Sequence, residues 1–257
     1  MEKQYKISVI KLATYTMLTL GILLIVISAF YASSFLAIFG TAFIFWGVVL
    51  LYVTPSKHVP LTLLSASSEA AVANIERIIS ELNLAARGIY LPPRNLKNIE
   101  SSVVFIPKDL KIPIPTPEET SEKLLTKGKN GAFVTPPGAA LSRLFEEELG
   151  FSFTKSNLNQ IQSALPKLLV EDLELAKNAE IQILSNTVTL EITGSVLEDI
   201  CRKTDSQPKT HMQVGCLLSS AIACALAKAS GKPITIQAET CIQETKITKI
   251  EYQILEV

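Results

Sequence analysis

Charged side chains are missing from a long stretch near the start of this chain. No Asp, Glu, Lys or Arg occurs between Lys11 and Lys57, a run of 45 residues. A helix needs about 20 apolar residues to cross a bilayer, so this run is long enough for two crossings and a tight turn. The sequence therefore predicts a transmembrane helical hairpin over 1–57, with spans at 12–31 and 35–53. Because neither span carries an acidic or basic residue, an ion pathway or proton relay is not expected.

Basic residues flank this hairpin and are missing from its turn. Lys3, Lys6 and Lys11 precede the first span, Lys57 follows the second, and residues 32–34 contain none. Because cytoplasmic loops carry the excess of Lys and Arg, both termini and the rest of the chain are expected in the cytoplasm, on a multi-pass protein of the cell membrane. Two alternatives remain open. The first span could be a cleaved signal peptide, or the two segments could be a re-entrant pair.

Several motifs that define enzyme and metal-binding classes are also missing. The chain has no Walker phosphate loop, no G-x-G-x-x-G and no G-x-S-x-G. It has two histidines and four cysteines, and no two cysteines form a C-x-x-C pair, so sequence spacing predicts no metal site and no cofactor. Residues 1–57 carry a net charge of +3 and the remainder −3, which gives no electrostatic footprint for nucleic acid. The expected partners are the lipid bilayer and an apolar small molecule or a protein.

Hydrophobic periodicity and capping residues predict the elements of the last 200 residues. Residues 58–130 are expected to form a linker helix and an N-terminal elaboration, and 131–257 an α+β core domain of antiparallel β-hairpins packed on helices. Pro166 should kink or break its helix. The predicted helices lie at 69–84, 117–126, 136–149, 158–169, 195–203 and 215–230; the predicted strands lie at 89–91, 103–106, 132–134, 180–192 (a hairpin), 233–238 and 247–255.

The helix predicted at 215–230 is rich in Ala, Ser and Cys. It is short for a membrane span, so we expect it to be the buried central helix of the domain. Its small side chains leave room for a ligand, which makes Cys216, Ser220 and Cys224 the candidate ligand-binding residues. The alternative is that the two thiols are small core residues with no function of their own.

The order of elements from residue 138 onward resembles a known fold. The resemblance is carried by the Ala- and Cys-rich segment 215–231, followed by Ile-Thr-Ile at 234–236 and Ile-Glu-Tyr-Gln-Ile at 250–254. It is the fold of the 4-vinyl-reductase-like ligand-binding domains and the TRAPP vesicle-tethering subunits. The resemblance implies binding of a ligand or partner without catalysis. Some members hold an acyl chain through a cysteine, and Cys216 and Cys224 are the positions that could correspond. Gly-Ile-Tyr-Leu-Pro-Pro at 88–93 also resembles archaeal membrane proteins of unknown function.

Two functions from different classes follow. The first is a membrane-anchored sensor or adaptor whose cytoplasmic domain binds a ligand or a protein. The second is a membrane-associated enzyme that acts on lipid or acyl substrates through Cys216 or His211. The sharpest form of the second is a catalytic triad, because His211 has candidate partners nearby in the sequence, namely Asp205, Ser206, Ser219 and Ser220. The alternative for His211 is a solvent-exposed position in a polar loop. A polar loop is expected at 204–209.

Overall fold

The computed structural model describes residues 2–31, 33–53, 61–93, 102–109, 111–115, 130–198, 201, 207–242 and 245–256. Backbone contacts divide the chain into two compact units, Met1–Pro60 and Leu61–Val257. Outside the described residues lie the helix predicted at 117–126, His58, Asp205 and half of the loop predicted at 204–209.

The first unit is a pair of helices, α1 (Glu2–Tyr31) and α2 (Ser34–Val53). Small residues recur every seven positions along their contact: Thr14, Gly21 and Ser28 on α1, with Gly40 and Gly47 on α2, are all buried. A seven-residue repeat keeps one face of a helix against its partner. A Cβ atom built on Gly21 would lie 2.9 Å from the carbonyl oxygen of Gly40, so side chains larger than glycine would separate the helices here.

The outer surface of this pair is apolar. Phe30, Tyr31 and Phe35 are between 78% and 85% exposed. By length and composition, two stretches among the described residues could cross a membrane, Thr14–Tyr31 and Pro208–Ser230, and the second is mostly buried inside the other unit. In α2 the segment Ser34–Leu50 is a shorter apolar helix. A signal sequence near the N-terminus would pass the same test as Thr14–Tyr31, so the predicted hairpin is confirmed only as a pair of apolar helices.

The second unit contains a seven-stranded antiparallel sheet with strand order β3-β2-β1-β6-β7-β5-β4. The predicted mixed fold of antiparallel strands and helices is therefore confirmed. The predicted boundary at residue 130 falls inside this sheet, because β1 pairs with both β2 and β6. The strands are β1 (Ile89–Leu91), β2 (Val103–Pro107), β3 (Gly131–Val134), β4 (Asn178–Leu184), β5 (Thr187–Thr193), β6 (Ile234–Ile242) and β7 (Ile247–Ile254).

In the described part of this unit, five α-helices with full bounds accompany the sheet: α3 (Leu61–Leu82), α4 (Ala139–Leu149), α5 (Leu158–Lys167), α6 (Pro208–Val214) and α7 (Leu217–Ser230). The central helix is α7, which contacts α4, α5, β1 and β6. All its residues from Leu217 to Ala227 are buried. The prediction of a buried helix is confirmed, and its Ala, Ser and Cys residues are small because neighbours approach on several sides. Gly231 ends it in the left-handed conformation.

Some local expectations were wrong. The helix α3 begins eight residues before the predicted start, and the first two residues of α6, Pro208 and Lys209, fall in the predicted polar loop. Pro at the first helical position starts α6, because proline lacks only an N–H that has no helical partner there. Pro166 does not break α5 at once. The helix continues to Lys167 and then widens into a π-helical turn at Leu168–Asp172. Within the helix predicted at 195–203, Glu198 and Cys201 are the described helical positions.

Candidate functional site

A cavity of about 450 Å³ opens at the N-terminal end of α7. Its wall comes from the ends of β5 and α6, the start of α7, and the paired strands β6 and β7. Most of the lining side chains are polar or ionisable, although the surrounding interior is apolar. The lining residues are Ile192, Ser195, Glu198, Cys201, His211, Cys216, Leu218, Glu239, Cys241, Thr248 and Ile250.

An irregularity in β6 turns one carboxylate into this cavity. Ile236 pairs with Tyr252 and Ala238 with Glu251, so Gln237 is an extra residue, a β-bulge. Beyond the bulge the alternation of the strand is reversed, and Glu239 pairs with the buried Ile250 instead of facing solvent. Bulges commonly redirect a side chain next to a functional site.

The bulge itself is held from outside the strand. The Arg87 guanidinium donates one hydrogen bond from Nη1 to the carbonyl oxygen of Ile236 at 2.7 Å, and another to that of Gln237. Arg87 lies in the connection between α3 and β1, so the N-terminal part of this unit fixes the geometry on which the position of Glu239 depends.

Three groups contact one oxygen of the Glu239 carboxylate. Ser219 Oγ donates to Oε2 at 2.8 Å, the backbone N–H of Cys216 donates at 3.5 Å, and His211 Nε2 lies 3.4 Å away. The Glu239 side chain is only 8% exposed. Burial alone would raise the pKa of this carboxyl, but the hydrogen bond and charge of His211, with those from Cys216 and Ser219, outweigh it and lower the pKa. Glu239 is therefore a buried, ionised carboxylate.

Two thiols lie beside this carboxylate. The sulfur atoms of Cys201 and Cys216 and a carboxylate oxygen of Glu239 are all within 4.8 Å of one another. Cys216 is the N-cap of α7, and its N–H donates to Ser219 Oγ at 2.8 Å. Burial is the main cause that raises the pKa of the Cys216 thiol, and the hydrogen bond with Cys201 adds to it. Because its pKa is raised well above the ordinary value, the Cys216 thiol is protonated at neutral pH.

Glycine is required beside Cys216. Gly215 has a φ of 77°, and a Cβ atom built on it would lie 2.5 Å from Ser219 Oγ and 2.6 Å from Ile236 Cδ1. Only glycine adopts this conformation readily and leaves this space. Gly215 thus lets the chain turn from α6 into α7 so that His211 and Cys216 line the same cavity.

The structure separates the three residues predicted to form a ligand site. Cys216 lines the cavity, but Ser220 Oγ accepts a hydrogen bond from the Gly138 N–H at 3.1 Å, on the side of α7 that faces α4. Cys224 is buried one turn further along, where burial raises the pKa of its thiol to about 12. Neither Ser220 nor Cys224 lines this cavity.

Glu239 and Cys201 line the cavity but were not predicted as site residues from the sequence. Nothing in the sequence signals Glu239, because alternation from Ile234 and Ile236 places Ala238 inward and Glu239 outward. His211 was considered, but its expected position in an exposed loop was wrong: it lies on α6 with its side chain 24% exposed. The Pro208 helix start and the following apolar run were the signals that could have placed it.

The arrangement does not have the geometry of a catalytic triad. A triad needs the imidazole between the hydroxyl and the carboxylate. Here Ser219 Oγ donates directly to Glu239 Oε2, and His211 contacts that same oxygen. The carboxylate therefore lies between the hydroxyl and the imidazole. What the site offers instead is a convergent set of thiol, carboxylate and imidazole groups, which are the protein ligands of zinc and related ions.

Comparison with known proteins gives one match. A family model described as Domain of unknown function (DUF7982) matches residues 2–252. No curated protein and no solved structure matches the chain. The matched region runs from the start of α1 into β7 and so includes the apolar helix pair, the sheet and every residue of the cavity. The chain therefore belongs to the DUF7982 family.

Proposed function

We propose that this chain is a membrane-anchored domain that binds a small ligand in the cavity at the N-terminal end of α7, without catalysing a reaction. The observation that carries the proposal is Glu239, an ionised carboxylate that a β-bulge turns into the interior, towards a cavity of about 450 Å³. Burying a charge is costly unless partners compensate for it. A fold that keeps a buried, ionised carboxylate at the wall of a cavity is suited to binding a ligand in that cavity.

Binding is favoured over catalysis by the state of the nucleophiles. The thiolate is the reactive form of cysteine, and the surroundings of Cys216 stabilise the protonated thiol. The Ser219 hydroxyl donates a hydrogen bond to the Glu239 carboxylate and lies 3.2 Å from the Cys216 carbonyl oxygen, so it is held by structural hydrogen bonds. The resemblance of the C-terminal half to the 4-vinyl-reductase-like domains implies the same function.

The anchor in this proposal is the helix pair α1 and α2. Its interior is lined by small residues and its outer surface by large apolar side chains, the reverse of a water-soluble helix pair. With Lys3, Lys6, Lys11 and Lys57 outside the apolar region, we propose a multi-pass arrangement with both termini in the cytoplasm. Free thiols such as Cys201 and Cys216 persist in that reducing compartment.

Thiol labelling of intact cells tests this topology. Ser33 lies between α1 and α2 and contacts Ser28 through its main-chain groups, so the variant Ser33→Cys keeps those contacts. We expect a membrane-impermeant thiol reagent to label Cys at position 33 from outside. The exposed native Cys241 is the internal control, and it should react only after the cells are permeabilised. Labelling of Cys241 from outside, with position 33 protected, would contradict the orientation.

Native mass spectrometry of the chain extracted in mild detergent tests binding. We expect wild type to carry a bound species that the variant Glu239→Gln loses or holds more weakly. Glu180→Gln is the matched control, because Glu180 is an exposed residue on β4. The bound species should be recovered chemically unchanged after prolonged incubation. A wild-type protein without any bound species, or equal retention in Glu239→Gln, would refute the proposed binding function.

A further inference from the structure

We propose that the ligand of this cavity is a zinc ion, bound by the sulfur atoms of Cys201 and Cys216, a carboxylate oxygen of Glu239 and Nε2 of His211. This inference rests on the proposed binding function and names the chemical class of the ligand. The four residues come from four separate places in the fold: the segment after β5, α6, the N-cap of α7 and the bulged strand β6. This separation explains why the sequence has no compact zinc motif.

The distances between the donor atoms suit a small tetrahedral ion. Zinc binds sulfur at about 2.3 Å and nitrogen or oxygen at about 2.0 to 2.2 Å, so the donors of a tetrahedral site lie roughly 3.3 to 3.8 Å apart. The atoms of Cys201, Cys216 and Glu239 lie within 4.8 Å of one another, and His211 Nε2 is 3.4 Å from Glu239 Oε2. A contraction of about 1 Å or less, by rotation of the thiol and carboxylate groups, brings the donors of Cys201, Cys216 and Glu239 to these distances. His211 Nε2 is close to Glu239 Oε2 but lies outside this three-residue cluster, so the imidazole has to turn towards the two sulfur atoms to complete the site.

The kinds of donor select the kind of ion. Calcium and magnesium take oxygen ligands, whereas two sulfur donors with an imidazole favour zinc or another soft transition metal. Two thiolates and one carboxylate carry three negative charges, which a divalent cation reduces to one. The N-terminus of α7 adds favourable backbone dipoles at Cys216. The proposed ion would thus compensate for the negative charge of these ligands, which the apolar core around Glu239 does not compensate for.

A second layer of hydrogen bonds already orients the donors. Ser219 Oγ donates to Glu239 Oε2 at 2.8 Å, and the Tyr252 hydroxyl donates to the Ser219 carbonyl oxygen at 3.2 Å. Arg87 holds the bulge that directs Glu239 inward. Such outer contacts fix the ligands of known metal sites and tune their affinity. On binding, two metal–sulfur bonds, one metal–oxygen bond and one metal–nitrogen bond form. The protons of the two thiols and the proton on His211 Nε2 pass to solvent, and no electron is transferred.

Metal analysis of the full chain in detergent tests the site. The protein, purified without a polyhistidine tag, is stripped with a chelator under reducing conditions and then given zinc alone. We expect one zinc per chain for wild type. Cys201→Ser, Cys216→Ser and Glu239→Gln should each weaken zinc binding by about tenfold or more. Cys224→Ser is the matched control and should keep wild-type affinity, because Cys224 is neither in the cluster nor in the cavity lining.

Cobalt gives a readout that does not depend on affinity alone. Substitution by Co²⁺ should produce the visible bands of a tetrahedral ion and a near-ultraviolet sulfur-to-cobalt band, which Cys201→Ser reduces and Cys224→Ser leaves unchanged. Because Cys216 caps a buried helix, Cys216→Ser is interpreted only if its circular dichroism matches wild type; Cys201→Ser and Glu239→Gln keep the test decisive if it does not.

Three results of the metal measurements would overturn the zinc site. They are wild-type protein without stoichiometric zinc under reducing conditions, a cobalt spectrum without the sulfur band, and equal zinc loss in Cys224→Ser. If the native mass spectrum instead shows a non-metal species that Glu239→Gln loses, the binding function stands and the zinc assignment falls. A Cys201–Cys216 disulfide, seen as a loss of two hydrogens in the protein as isolated, with no zinc uptake after reduction, also overturns it.

Discussion

A carboxylate from another element lies beside each end of α7: the partly buried Glu146 of α4 and the buried Glu239 of β6. The two are compensated in different ways. At the C-terminal end, Lys228 Nζ lies 2.7 Å from Glu146 Oε2, while Glu146 Oε1 accepts hydrogen bonds from Ser152 Oγ at 2.8 Å and the Phe153 N–H at 2.7 Å. At the N-terminal end, the described hydrogen bonds of the Glu239 carboxylate all go to Oε2. Two thiols and a cavity lie beside this carboxylate.

This difference separates a structural carboxylate from one suited to binding. Glu146 has a full cationic partner and hydrogen bonds on both oxygens, so the protein compensates for its burial by itself. Its contacts tie α4, the 3₁₀ turn Phe153–Lys155 and α7 together. Glu239 relies on a histidine at 3.4 Å and on hydrogen bonds to Oε2. The same helix therefore offers a closed ion pair at one end and an open set of donors at the other.

The largest effect on stability is expected at the closed end. Lys228→Ala leaves the partly buried Glu146 without its cation, which should cost about 2 kcal/mol of unfolding free energy, between the values for exposed and fully buried pairs, because both side chains are about 15% exposed. The matched control is Arg77→Ala, which removes an exposed ion pair with Glu81 and should leave stability unchanged. Thermal unfolding in detergent, followed by circular dichroism, measures both. A similar loss in the two variants would show that the Lys228 pair is not a special contact.

A smaller effect on stability is expected when the pH is lowered. Burial acts to raise the pKa of the Glu146 carboxyl, but the contacts with Lys228, Phe153 and Ser152 together lower it below its ordinary value of 4.5. The folded state then binds a proton less readily than the unfolded state, so this stabilisation is complete above pH 4.5 and is lost as the pH falls through 4.5 towards the lower folded pKa. The difference in melting temperature between wild type and Glu146→Gln should therefore shrink below pH 4.5. A difference that stays constant down to pH 3 would contradict this.

The parts of the fold that depend on local sequence were predictable. Asn157 begins α5 with the expected side-chain cap, and alternation from residue 180 to 192 gave the β4–β5 hairpin with Ser185 and Asn186 in its turn. The apolar run that ends at Gly231 gave α7. These elements follow from contacts between residues close in the chain, and such contacts leave regular patterns in the sequence.

The open end of α7 was not predictable because it depends on distant contacts. Glu239 faces inward only because one extra residue, Gln237, interrupts the pairing of β6 with β7. A strand with a bulge has the same residue types as a strand without one. One extra residue moves every following side chain to the opposite face of the sheet. Cys201 and Cys216 are 15 residues apart, with α6 between them, so their contact exists only after α6 has formed. Likewise, β1 joins the C-terminal strands only through its pairing with β6.

The smallest effect on the metal-free protein is expected at the open end. Glu239→Gln keeps the length of the side chain and leaves an amide oxygen that can accept from Ser219. The variant loses the attraction of His211 and a hydrogen bond to a charge, but it also removes the cost of burying that charge. Because these changes oppose each other, the free energy of unfolding without metal should change by about 1 kcal/mol or less.

Zinc then distinguishes the two ends of the helix. A ligand that binds only the folded state adds about 2.7 kcal/mol of stability at a hundred times its Kd. Wild type and Lys228→Ala should gain this stabilisation equally, because Lys228 is not part of the cavity lining. Glu239→Gln should gain much less, since it lacks one donor. Melting curves of the three proteins with and without zinc make the comparison. If Glu239→Gln loses as much metal-free stability as Lys228→Ala, both carboxylates are structural, and the contrast between a closed and an open end fails.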